Sequence, residues 1–277
     1  MDVLRIAAFS DGHEGGNPAG VVIADVLPDA ATMQATAARV GYSETAFAAR
    51  EGELWRVRYF SPESEVPFCG HATIALGAAL ALRHGDGRFA LQLNQARITV
   101  DGRRQGSLVA AALQSPPTHS HAATAAQISS ALALFGYADG DLDPRLPPSV
   151  AHGGADHLLL MLRSREALAR MHYALDAGRV LMKAEGWVTI LLGWAESPRR
   201  FHTRNAFASG GVLEDPATGA ATAALAGYLR DLGWPHGGAI EVLQGEDMGM
   251  RSRLLADIPE APGSSIRVSG SARPMSA

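Results

Sequence analysis

The chain has 277 residues, enough for about two domains, and its 47% apolar and 19% charged residues are ordinary for a folded protein. A formal charge of −4 argues against a nucleic-acid binder, which needs a clustered basic surface to displace counterions. One cysteine, Cys69, excludes an intrachain disulfide and a cysteine-based structural zinc site.

At the N-terminus, Asp2, Arg5 and Asp11 interrupt what a signal peptide would keep as an apolar core, so a cytoplasmic location is expected. After a first strand, Gly15-Gly16-Asn17-Pro18-Ala19-Gly20 reads as a tight turn before Val21-Val22-Ile23. It lacks the G-x-G-x-x-G spacing and the following helix that a dinucleotide site needs. A helix is predicted over Ala30 to Val40, followed by Gly41-Tyr42-Ser43-Glu44-Thr45-Ala46-Phe47, with a strand emerging towards the core and Glu44 at its start. A carboxylate among Tyr, Phe and Ala would be partly desolvated, which raises its pKa and suits it to proton transfer near neutrality; an exposed, idle glutamate is the plainer reading.

Leu54 to Phe60 alternates Trp55, Val57 and Tyr59 with Arg56 and Arg58, the period of a strand. The segment Glu65-Val-Pro-Phe-Cys-Gly-His-Ala-Thr-Ile-Ala-Leu76 comes next. It aligns without gaps onto Glu214-Asp-Pro-Ala-Thr-Gly-Ala-Ala-Thr-Ala-Ala-Leu225, seven of the twelve positions being identical. An apolar helix closed by glycine follows each copy, at Gly85 and Gly233. Ala72 to Leu82, the longest apolar stretch, is too short for the ~18 residues of a membrane span. Strands are predicted at Phe89–Leu93, Ala96–Val100 and Ser107–Leu113. Gln114-Ser-Pro-Pro-Thr-His-Ser-His-Ala-Ala then reads as a linker, and Thr124 with Gln127 opens a helix as a capping box that Gly136 closes. In the second half, Phe201 to Phe207 alternates ahead of the repeat, and Ala239–Gln244, Met250–Ile258 and Ile266–Ser269 answer the strands of the first.

The duplication predicts an α+β fold of two similar domains, residues 1–117 and 118–277. Each would curl a mixed sheet around its own apolar helix, and the two would be related by a pseudo-twofold with a ligand cleft between them. Each copy places a glycine at a helix start, where unsatisfied amides and the helix dipole favour an anion. Gly70 and Gly219 would let a carboxylate approach those amides; two well-capped helices with no ligand are the plainer alternative. The copies differ where His71 faces Ala220 and Asp215 faces Val66, an asymmetry that packing alone has little reason to create. Simple capping for Asp215 and a satisfied first-turn histidine for His71 stay open. Cys69 and Thr218 are equivalent positions before the helical glycines; threonine is a good N-cap and cysteine a poor one. A thiol there could act as a base, but the second thiol of a two-thiol mechanism is missing. No metal site is expected: His119 and His121 fall in the linker, and no carboxylate completes a set with His152 and His157.

Gly-Gly-Asn-Pro-Ala at 15–19, Ser-Glu-Thr-Ala-Phe at 43–47, Cys-Gly-His-Ala-Thr at 69–73, Glu-Asp-Pro-Ala-Thr-Gly at 214–219 and Gln-Gly at 244–245 occur in that order. Together they resemble the PhzF-like family of phenazine biosynthesis, within the diaminopimelate epimerase-like superfamily. The resemblance implies a cofactor-free, homodimeric isomerase with its site between two α+β domains. In the family's phenazine member the substrate is trans-2,3-dihydro-3-hydroxyanthranilate. There a glutamate matching Glu44 moves a proton between ring carbons, with help from residues matching His71 and Asp215. The resemblance thus implies Glu44, His71 and Asp215 as catalytic residues, and Asn17, Ser43, Cys69, Gly70, Thr218, Gly219 and Ala220 as contacts of a small carboxylate substrate. Where the family commonly has Thr-Gly-Ser-Ala, this chain has Thr218-Gly219-Ala220-Ala221 and so lacks a hydroxyl. Two rivals follow from the residues: a Cys69-dependent epimerase or dehydratase, and a carboxylate-binding protein without turnover.

Overall fold

A computed structural model describes residues 2–276. The chain divides into two compact units, one holding the residues up to Gln114 together with those from Ser269 onward, the other Ser115–Val268.

The first unit runs β1 (Leu4–Ser10), β2 (Asn17–Ala24), α1 (Ala30–Val40), β3 (Thr45–Glu51), β4 (Leu54–Phe60), β5 (Glu65–Val66), α2 (Gly70–His84), β6 (Gly87–Gln92), β7 (Arg97–Gln105) and β8 (Leu108–Pro117), the last of which crosses into the second unit. Neighbouring strands are antiparallel except β2 with β3 and β4 with β6. The two parallel joins are crossovers, made by α1 and α2. Helix α2 is apolar on every side and packs against β1, β2, β3, β6 and β7, so Ile74, Leu76 and Leu80 have no exposed surface. Each such side chain contributes roughly 1.5–3 kcal/mol of burial. The approach of helix to sheet is close enough to require glycine: a Cβ on Gly102 would stand 2.4 Å from the Gly77 carbonyl oxygen. The opposite face of the sheet is covered by α1, whose Met33 and Ala37 meet Val22, Phe47 and Phe60.

The second unit runs β9 (His119–Ala122), α3 (Ala125–Phe135), β10 (Ser149–His152), β11 (Asp156–Leu162), α4 (Arg165–Ala169), α5 (Leu175–Glu185), β12 (Thr189–Ser197), β13 (Arg200–Ala206), β14 (Glu214–Asp215), α6 (Gly219–Asp231), β15 (Ala239–Gln244), β16 (Ser252–Asp257) and β17 (Ser265–Pro274). Its ladder repeats the first: β10–β11 antiparallel, β11–β12 parallel, β12–β13 antiparallel, β13–β15 parallel, β15–β16 antiparallel. Helix α6 takes the place of α2, packed on β9, β10, β11, β15 and β16. Here the close approach falls on Gly153, where a Cβ would lie 2.5 Å from the Ala220 carbonyl oxygen. Phe135, Met182 and Trp187 cover the outer face against Leu158, Leu160 and Ile190. The capping box at Thr124 and the left-handed Gly136 are both formed.

Each unit is therefore α+β, a mixed sheet around a buried apolar helix, as the duplication predicts. Three expectations need correction. The stretch from Gln114 is not a linker: β8 continues to Pro117, β9 pairs with β10, and buried Thr118 donates to the Ser264 carbonyl and accepts from Arg230. Its prolines sit at a strand end, where a missing amide costs no ladder bond. The end of the chain does not stay with the second half, because Ser271 to Pro274 of β17 pair with β1. The turn at Gly15 closes by Gly16, and Asn17 already opens β2. Among the described residues no helix is long and apolar enough to cross a membrane.

Candidate active site

In the first unit, the end of the loop before β3 and the start of α2 bring four candidate residues together. Glu44 is fixed by its backbone, whose carbonyl accepts from the Gly20 amide at 3.2 Å and so ties β3 to β2. Its side chain is buried, and one carboxylate oxygen lies 3.4 Å from His71 Nε2. Ser43 Oγ stands 3.3 Å from the same nitrogen. The other ring nitrogen, Nδ1, is 3.4 Å from Cys69 Sγ. His71 thus links a carboxylate and a hydroxyl on one edge to a thiol on the other. The first turn of α2 is held independently: Thr73 Oγ1 donates to the Cys69 carbonyl at 2.7 Å and pairs with Tyr59 Oη at 2.7 Å. Burial pushes the Tyr59 phenol well above its ordinary range, so it stays neutral. Asn17 is buried at the start of β2, the strand tied to Glu44. Glu44, Cys69 and His71 each offer one ligand atom within 4.8 Å of the others, so this cluster could also hold a metal ion.

In the second unit, Thr218 precedes α6 as Cys69 precedes α2. A threonine at this position is expected to cap the helix, but its side chain does not. Its hydroxyl donates instead to Asp215 and accepts from Asn205 Nδ2 at 2.6 Å and Gln244 Nε2 at 3.1 Å. Fully buried Gln244 also donates to the Asp215 carbonyl at 2.6 Å and accepts from the Thr218 amide at 3.2 Å. One glutamine therefore sets both the backbone and the hydroxyl that position the buried Asp215 carboxylate. Gly219 and Ala220 form the first turn of α6. Neither α2 nor α6 has a capping side chain, which leaves amides at both helix starts available to an anion.

Candidate residues thus gather as two groups: Ser43, Glu44, Cys69, Gly70 and His71 in one unit, Asp215, Thr218, Gly219 and Ala220 in the other. The structure adds Asn205 and Gln244, and an anchor in each unit. Arg58 grips Glu65 with paired bonds of 2.8 and 2.6 Å, and Arg204 grips Glu214 with 3.0 and 2.6 Å. Each glutamate opens its copy of the duplicated motif. The sequence signal was present but unused: both arginines stand two residues before the last residue of the strand that leads into the motif.

The architecture and the chain both have relatives. A phenazine biosynthesis protein of the PhzF family from Bacillus anthracis matches with a TM-score of 0.85, covering 100% of this chain and 98% of that one at 22% identity. A probable proline racemase from Agrobacterium radiobacter, solved with bound carbonate, matches with a TM-score of 0.66 at 12% identity, covering 99% and 90%. At these identities the two structures establish the fold alone. In sequence, the trans-2,3-dihydro-3-hydroxyanthranilate isomerase of Pseudomonas aeruginosa is 32% identical over 270 residues, 95% of this chain and 91% of that protein. The family model described as phenazine biosynthesis-like protein matches residues 6–277. The duplicated α+β units, the motif residues at both helix starts and these matches agree: the chain is a PhzF-like isomerase, a member of the phenazine biosynthesis-like family.

Proposed function

We propose that the chain moves a proton between two carbons of a small carboxylate related to dihydro-hydroxyanthranilate, with Glu44 as the acid/base. The observation that carries this reading is the buried contact between Glu44 and His71 at 3.4 Å, beside a helix start that has no capping side chain. The substrate carboxylate takes helix-start amides, those at Gly70–His71 in the unit of Glu44; the amides at Gly219–Ala220 are their counterparts in the other unit. Glu44 accepts the proton as one C–H bond breaks; the electron pair shifts through the conjugated system, and the carboxyl group, whose proton exchanges with solvent, gives a proton to a new C–H bond elsewhere. Composition is unchanged, and one carboxylate serves both ends without a cofactor. His71 positions the carboxylate and, with Asp215, handles polar groups on the ring. The resemblance to the dihydro-hydroxyanthranilate isomerase supports the substrate class, and the family resemblance supports a homodimer as the working form.

The Cys69 Sγ to His71 Nδ1 distance of 3.4 Å favours a second reading, in which a thiolate is the base of an epimerase or dehydratase. Incubation with trans-2,3-dihydro-3-hydroxyanthranilate, followed by NMR of the product, separates them. Turnover that survives Cys69→Ala supports the glutamate; inactivation by Cys69→Ala or by thiol alkylation, with substrate protecting, supports the cysteine. No turnover of this compound by the wild-type chain overturns the substrate assignment.

A further inference from the structure

The geometry points to a divalent transition-metal site of the zinc class, formed by His119, His152 and Asp156 in the second unit. In sequence these residues are scattered, and His119 falls in a stretch that reads as a linker. In the fold they form one row across three adjacent strands: His152 of β10 stands directly opposite His119 of β9 on one side and Asp156 of β11 on the other. Directly opposed residues share a face of the sheet. The two imidazoles stack, with centroids 4.8 Å apart and planes 15° from parallel, and His152 Nδ1 lies 2.7 Å from Asp156 Oδ1.

Each of the three residues offers one ligand atom, all within 4.8 Å of one another. Tetrahedral zinc with ligands at about 2.0–2.2 Å needs them roughly 3.4 Å apart, a closure that side-chain rotation alone can supply. Two imidazoles and a carboxylate suit zinc, cobalt or nickel and suit calcium poorly. The set is also held in place before any ion arrives. His152 and Asp156 flank one tight turn, closed by the Gly153 amide on the Ala155 carbonyl at 3.1 Å. Gly153 itself is pinned against α6, where no larger residue fits. The His152–Asp156 hydrogen bond at 2.7 Å keeps these two side chains together. His119 and Asp156 are exposed, so an ion can enter from solvent. The plainer account, a stacked pair with a local hydrogen bond, predicts no saturable metal binding.

The full-length chain carrying Cys69→Ala, which weakens the competing Glu44–Cys69–His71 cluster, is titrated calorimetrically with Zn2+ alone at pH 7.5. The expected result is one ion per chain, bound at least tenfold more weakly after His119→Ala, His152→Ala or Asp156→Asn. Co2+ in place of Zn2+ should give the absorption of a tetrahedral centre, lost in the same variants. His119→Ala lies on an exposed position of β9, so it tests the site even where His152→Ala perturbs folding. Absence of saturable binding, or binding unchanged by His119→Ala, overturns the proposal. Neither result bears on Glu44, which belongs to the other unit.

Discussion

The two arginine–glutamate anchors form a controlled pair, the same device at two burials. Arg204→Met keeps an apolar stem but strips the partner from Glu214, whose side chain is 7% exposed against 11% for Arg204. It also takes a donor from the Ala169 and Met171 carbonyls, at 3.0 and 3.1 Å. Removing one member of a buried pair costs about 3–5 kcal/mol, because a charge is left in low dielectric without compensation. In the twin, the side chains of Arg58 and Glu65 are 23% and 28% exposed, and Glu65 keeps a bond from Asn94 at 2.7 Å. Arg58→Met should therefore cost only about 1 kcal/mol. Hydrogen exchange read on peptides covering β4–β5 and β13–β14 measures each opening separately. The double variant Arg204→Met with Glu214→Met should recover most of the loss, since the unpaired charge goes too. Equal costs in the two units, or a double variant as unstable as Arg204→Met alone, would refute the argument.

Three further outcomes follow. His157 is fully buried, with Nδ1 paired to Thr189 Oγ1 at 2.7 Å, and burial lowers its pKa to about 3. The unfolded chain binds a proton near pH 6.5 and the folded one does not. Stability should therefore fall as pH drops from 6.5 towards 3, by about 2 kcal/mol at pH 5; urea melts of His157→Gln should lose that slope. Thr218→Val removes the hydroxyl donor to Asp215 without changing shape, and should lower kcat at least tenfold with the fold intact by circular dichroism. Gly102→Ala forces a methyl group to within 2.4 Å of the Gly77 carbonyl oxygen, and should cost about 1–3 kcal/mol in thermal melts, whereas Gly140→Ala meets only open space.

What the sequence disclosed was local or repeated. Helix α1 falls on Ala30–Val40, and the capping box forms at Thr124, because both are written in adjacent residues. The duplicated motif exposed two units of one design, since a repeat is visible without folding the chain. The segment from Gln114 misled because prolines, serines and histidines look like linker; only pairing with β10, distant in sequence, makes it a strand. The Glu44–His71 contact spans the β3–β4 hairpin and β5, so spacing alone did not show it and motif resemblance had to. Gln244 and Asn205 were missed as partners of Asp215 for the same reason: neither is the sole polar residue in its strand, and the use of each appears only when β13 and β15 flank the α6 start. The row of His119, His152 and Asp156 depends wholly on strand register.

The role of Glu44 is tested most directly by solvent hydrogen. In deuterated buffer with trans-2,3-dihydro-3-hydroxyanthranilate, the wild-type chain should place deuterium at the carbon that is reprotonated, seen by mass and NMR. Glu44→Gln, which keeps size and removes the base, should slow that exchange at least a hundredfold while substrate still binds. Undiminished exchange by Glu44→Gln would remove this carboxylate from the reaction and the mechanism with it.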